Sequence, residues 1–395
     1  MKLHIGRKNN LCTKNMIDTW VLSPKDDQDV TSILDLVDRE GERYEMKNEN
    51  SAKYLGDLSQ SNGKHDMNIK ERVNRGLVAV NQITQELEEL CLGSFYMVSA
   101  VILRNSYLIS TLITNGETWF NLNKRDIESL ESVDESLLRK ILAAHSKTAK
   151  ETLYLALGVT PVRFILKSRR LNYLKYILSE EDGAMLKECF EAQDEDPTRG
   201  DWVTTVKADL EELDIKMSFR DIRNVSANSF KKIVKKQIRI KTLEYLQQCQ
   251  QTHSKSKHVT YQKLEMEGYL KPGNDLTIQE KQFIFKARTL MLNVKMNFKV
   301  GQTDLNCRHG CNVPEIQRHI LDCAAIGDNC VTSHEAPQYS DIFGDEVDKI
   351  STIGRILMTR SKSFLQDNTP SARETQNSGE TGATTVNMIS SVVLD

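Results

Sequence analysis

Near the C-terminal end of this chain stand Cys307, Cys311, His319 and Cys323, a C-x3-C-x7-H-x3-C run. Soft ligands this close together constrain the fold more than any other feature. Two thiolates on a tight turn can grip one side of a Zn²⁺ ion. A histidine and a cysteine four apart, as on one helix face, can complete the tetrahedron. Gly310 and Pro314 suit the turn this needs. The spacing predicts one zinc on Cys307, Cys311, His319 and Cys323. His309 could stand in for Cys311, and Cys330 for Cys323. The alternative is a set of reduced, buried thiols, because zinc knuckles usually separate their first pair by two residues.

A chain of 395 residues is too long for one small core and implies two or three packed units. Its eight cysteines are irregularly spaced and no cleavable signal segment follows Met1, so reduced thiols in the nucleus or cytoplasm, not secretion, are expected. The net charge of −2 hides an internal asymmetry. Residues 180–216 are acidic (Glu180, Glu181, Asp182, Asp194, Glu195, Asp196, Glu211, Glu212), whereas residues 219–263 are basic, with Lys231, Lys232, Lys235, Lys236, Arg239 and Lys241. Such a pattern is either a polyanion-binding face beside an acidic neighbour or two solvated helix faces that attract each other. The run from Phe95 to Thr114 is apolar for nearly a bilayer's width, but Arg104 and Asn105 lie at its centre. A central charge costs roughly 3 kcal/mol on insertion scales, so a core helix and no membrane partner are expected.

Short β-prone runs separated by Asn, Asp, Gly and Pro are confined to the N-terminal part. From Asn68 helical periodicity takes over: Ile69, Val73, Leu77, Val80, Ile83, Leu87 and Leu90 fall at steps of three and four, and Gly93 stands at the expected stop. Ile127, Leu130, Val133 or Asp134, Leu137 and Ile141 repeat the pattern. Thr160 and Pro161 read as the N-cap and first turn of a helix to Leu178 that carries Arg163, Lys167, Arg169 and Arg170. Ser226 can cap a basic helix to about Gln248, with Phe230, Ile233, Val234 and Ile238 buried. Thr277 and Glu280 form a capping box, and a last helix is predicted from about Tyr339 to Leu365. Beyond it the chain has too little apolar surface to offset ordering entropy.

Three stretches, in order, resemble the reverse transcriptase of LINE-like non-LTR retrotransposons downstream of its polymerase active site. The first is K-L-H-I-G (Lys2 to Gly6), Cys12, Y-L-G-D (Tyr54 to Asp57) and the pair Asn62 and Gly63. The second joins V-D-E-S-L-L-R-K-I-L (Val133 to Leu142) to L-Y-L-A-L-G-V-T-P-V-R-F-I-L-K-S-R-R-L (Leu153 to Leu171). The third is the cysteine cluster, similar to the C-terminal cysteine-histidine motif of these elements. The resemblance runs from Lys2 to about Leu365 and implies an RNA-directed DNA polymerase lineage.

Two departures matter. Polymerase chemistry needs clustered carboxylates to hold paired Mg²⁺ ions, and the family places a central pair in Y-x-D-D. That hairpin is absent from the sequence; Asp26 and Asp27 follow Pro24 and Lys25 in a polar loop. No Mg²⁺ site and no polymerase activity by this chain alone are expected. Second, Arg308, His309 and Gly310 replace the commoner Cys-Pro-x-Cys turn. No phosphate-cradling glycine loop, H-E-x-x-H or G-x-S-x-G is present, and His145 and His258 read as solvent-facing or structural.

The expected protein is mostly α. Residues 1–66 form a β-containing palm edge, 67–145 a helical thumb, 146–300 a helical linker, 301–366 a zinc-knuckle-like motif with a terminal helix, and 367–395 a disordered tail. Candidate phosphate contacts are Arg163, Lys167, Arg169, Arg170, Lys231, Lys232, Lys235, Lys236, Arg239 and Lys241, which would bind RNA or DNA with little sequence preference. The missing polymerase part is a candidate protein partner. The competing expectation is a transposon relic that acts as a structural or protein-interaction module, with the zinc as a staple.

Overall fold

The apolar periodicity that begins at Asn68 is realised as helix. A computed structural model of the protein describes residues 64–195, 201–255, 257–298, 304–326 and 338–366. Before residue 64 only strand backbone is described, as antiparallel hairpins that share no strand: His4–Ile5 with Asn10–Leu11, Leu34–Val37 with Arg43–Met46, and Ser51–Tyr54 with Asp57–Gln60. These hairpins do not establish a palm edge. Side chains of residues 1–63 and the tail after residue 366 lie outside the described residues.

The helices are α1 (Asp66–Glu89), α2 (Tyr96–Leu103), α3 (Ile109–Leu112), α4 (Lys124–Ile141), α5 (Lys150–Leu157), α6 (Val162–Ser179) and α7 (Met185–Glu195). They continue as α8 (Trp202–Glu212), α9 (Phe219–Asn224), α10 (Ala227–Gln251), α11 (Ile278–Arg288), α12 (His319–Asp322) and α13 (Val347–Gln366). Caps follow the sequence where small polar residues permit. Ser226 accepts the Ser229 N–H at the start of α10, and Thr277 and Glu280 form the expected capping box on α11.

The structure corrects some boundaries. Pro161, not Thr160, is the N-cap of α6, and the Thr160 carbonyl instead accepts a hydrogen bond from Arg104. The predicted last helix is divided into a 3-10 turn, Tyr339–Phe343, and α13. On α1, Ile69, Val80, Ile83 and Leu87 are buried but Leu77 and Leu90 are exposed. Ala79 and Gly76 occupy the contact face in their place. A Cβ on Gly76 would lie 2.5 Å from Leu112 Cδ2, so the close approach of α1 to α3 and α4 requires glycine there.

Two large apolar clusters result. One takes side chains from α1 to α5, the start of α6, the end of α10, α11 and α13, running from Ile69 to Leu357. The other gathers the rest of α6 with α7, α8, α9 and the first half of α10, around Leu171, Leu174, Val206 and Phe230. Helices α6 and α10 join them, and the first core crosses every boundary drawn from the sequence within residues 67–366.

The segment Gly93–Leu112 is long and apolar enough to cross a membrane by length and composition. At its centre Arg104 is 1% exposed, and Nε and a terminal nitrogen donate to both carboxylate oxygens of Asp134 on α4, at 2.7 and 2.5 Å. Tyr154 donates to the same carboxylate at 3.2 Å. Removing one partner of such a pair costs about 3–5 kcal/mol, because the other charge stays buried. Asp134→Ala should therefore lower unfolding stability by about that much, and Arg104→Met with Asp134→Leu should recover most of it. Urea unfolding followed by circular dichroism reads both; a loss under about 1 kcal/mol in the single variant would contradict the burial.

Candidate metal centre and basic faces

Cys307 begins a turn closed by hydrogen bonds from its own N–H to the Val313 carbonyl at 2.8 Å and from the Gly310 N–H to the Cys307 carbonyl at 3.0 Å. Gly310 and Asn312 take left-handed backbone, φ 77° and 53°, a conformation that favours glycine and that asparagine tolerates. Asn306 and Pro314 form a β-bridge across the base. The turn is locked by Glu315, whose carboxylate takes two side-chain hydrogen bonds from Arg308 and the N–H groups of Lys295 and Arg308. Burial alone would raise the Glu315 pKa; these donors overcome it and hold the carboxyl below its ordinary value.

The ligand atoms of Cys307, Cys311, His319 and Cys323 all lie within 4.8 Å of one another. The Cys323 sulfur is 3.9 Å from Cys307 and 3.6 Å from Cys311. Tetrahedral zinc with bonds of about 2.3 Å sets sulfurs about 3.8 Å apart. The His319 Nε2 is buried without a hydrogen-bond partner, as befits a nitrogen whose lone pair serves a cation. The donor set therefore fits one metal ion. Burial, and then the neighbouring Cys311 thiol, push Cys323 up to about 12. A thiol so placed ionises at neutral pH only when a cation takes the proton's place. His309 is no substitute ligand here: its Nε2 is 3.1 Å from the Phe364 carbonyl oxygen. Cys330 lies outside the described residues.

Helix α13 clamps this turn. Arg360 donates to the carbonyls of Ile320 and Cys323 at 2.9 and 3.1 Å, and the Phe364 ring packs on Cys307 and Cys323. Gln317 donates to the Ala287 carbonyl at 2.8 Å, tying the turn to α11. Neither Arg360 nor Phe364 carried a sequence signal, since both act on residues some forty positions upstream.

The two sets of basic residues have different fates. On α6, Arg163 is bidentate to Glu131 at 2.7 and 2.6 Å, and Arg170 to Asp209 at 2.7 and 3.1 Å. Lys167 pairs with Glu212 and Asp209, and Arg169 donates to the Ile113 carbonyl at 2.7 Å. The expected phosphate face on α6 is thus occupied internally. On α10, Lys231, Lys232, Lys235 and Lys236 are exposed and make no ion pair among the described residues. Arg239 reaches the Leu264 carbonyl and Lys241 pairs with Glu244. Among the described residues the acidic segment pairs with Arg170 and Lys167 of α6, with Lys187 and Lys207, and with Arg223, not with the lysine row.

No family model matches the chain, and the comparisons with curated proteins and with solved structures found no match. The metal site is therefore argued on its geometry. Metal analysis of protein purified without chelators should find about one zinc per chain, and Cys311→Ser should lose it together with protease resistance around residues 304–326. A metal-free wild-type protein would remove the assignment.

Proposed function

We propose that this chain is the thumb and post-polymerase portion of a LINE-like reverse transcriptase and that it binds RNA or DNA through the phosphate backbone. One observation carries the binding: Lys231, Lys232, Lys235 and Lys236 project from α10 with no acidic partner among the described residues. Steps of 100° per residue put them within one arc of the helix, opposite buried Phe230, Val234 and Ile238. Unpaired cations in a row attract a polyanion by releasing its condensed counterions. The lineage rests on the ordered motifs quoted above. A Cys₃His cluster after the helical region is in keeping with it, and zinc is the metal proposed there. A polymerase palm carrying the aspartate hairpin is the protein partner that the resemblance implies.

Changing all four lysines to glutamine should weaken binding to RNA and DNA of any sequence and flatten log affinity against log salt by roughly 0.7 to 0.9 per lost contact. Folding should be unaffected, because the buried side of α10 is untouched. Fluorescence anisotropy across a salt series measures both. Unchanged affinity and slope would favour a structural or protein-interaction module held by its metal. Primer extension by the isolated chain with Mg²⁺ or Mn²⁺ should give no product; template-dependent extension would show a carboxylate site that the motifs do not contain.

A further inference from the structure

Between the loop after α4, helix α11, the metal-binding turn and α13 lies a cleft of about 570 Å³, within the range of small-ligand sites. Its walls are largely aromatic and apolar: Phe283, Phe298, Ile320 and Phe364 line it. Flat rings in such a groove stack on any nucleobase. His145, Lys286, Asn293 and Ser361 are the polar residues of the wall. Ser361 is 8% exposed, and its hydroxyl is buried with no hydrogen-bond partner among the described residues. An orphaned hydroxyl is costly until something meets it, and a base edge offers both donors and acceptors.

The mouth is positive. Lys286 lines the cleft, and the ammonium groups of Lys147 and Lys255 lie 5.9 and 5.5 Å from the Phe298 ring centroid. Lys147 and Lys286 make no ion pair among the described residues, and no carboxylate is among the lining residues. The His145 ring packs against Phe298 at 4.8 Å. Partial burial first, and then Lys147, Lys255, Arg139 and Lys286, lower its pKa, which favours the uncharged ring.

We propose that this cleft binds one unpaired base of a single-stranded nucleic acid, stacked on Phe298 with the tilted His145 ring beside it, and with an adjoining phosphate on Lys147 and Lys286. The proposal rests on the nucleic-acid-binding function above and adds a preference to it. A lysine row accepts any phosphate backbone, whereas a stacking cleft takes a base only when it is out of the duplex. Ile320 follows His319, so the metal-binding turn supplies one wall.

The test uses the full chain with short oligonucleotides carrying 2-aminopurine, as RNA and as DNA, single-stranded and annealed, and with a 2-aminopurine mononucleotide. Fluorescence of the single strands should be quenched on binding and that of the duplexes should not. Phe298→Leu should weaken single-strand binding about tenfold, leave duplex binding unchanged and abolish quenching of the mononucleotide, while Phe298→Tyr restores both losses. Lys147→Gln with Lys286→Gln should weaken single-strand binding selectively. The sugar arms report whether RNA or DNA is preferred, and preference for either single strand supports the proposal. Phe298→Leu without effect, or with equal losses on single strands and duplexes, overturns it, even while the α10 lysine variant still loses binding. The converse pattern, an inert α10 variant beside a Phe298-dependent mononucleotide signal, removes the lysine row and leaves the cleft standing.

Discussion

A guanidinium taken out of water needs strong acceptors in its place, and three of the arginines that find a carboxylate tie helix to helix here. Arg104 takes Asp134, Arg163 takes Glu131 and Arg170 takes Asp209. Each pair fastens helices distant in sequence: α4 to the apolar Gly93–Leu112 segment, α6 to α4, and α8 to α6. The pairing also decides the surface. Once Asp209 and Glu212 are committed to α6, they are unavailable to α10, whose lysines keep their full charge towards solvent.

Much of this was legible in the sequence, for local reasons. Ser226, Thr277 and the ligand quartet act within a few residues of themselves, so spacing alone places them. The apolar side of α10 was equally plain, since its charges and hydrophobic residues separate cleanly around the axis. Helix α6 was legible as a helix, but the fate of its cations was not. Val162, Phe164, Leu166, Leu171, Leu174 and Leu178 surround its axis and are all buried, which marks a helix packed on most sides. Its arginines read as surface cations because their partners stand 32 and 39 positions away. The cleft is harder still, because His145, Phe298, Ile320 and Ser361 belong to separate segments and no spacing joins them.

The metal turn illustrates how little a short motif stabilises alone. Cys307 and Cys323, with Phe364, form a cluster too small to be a core, so the turn relies on Arg308 with Glu315 and on α13. A coordinated ion would replace the hydrophobic interior that such a short segment cannot build.

The contacts of Arg360 and Phe364 make this centre part of a thermodynamic cycle. If α13 raises the affinity of the turn for its ion, the ion must tighten the docking of α13 by the same factor. Ser361, Phe364 and Leu365 belong to that helix and also line the neighbouring cleft. A bound ion would then act as a dial on the far wall of a pocket it does not line, and its loss would be felt as loosening of α13.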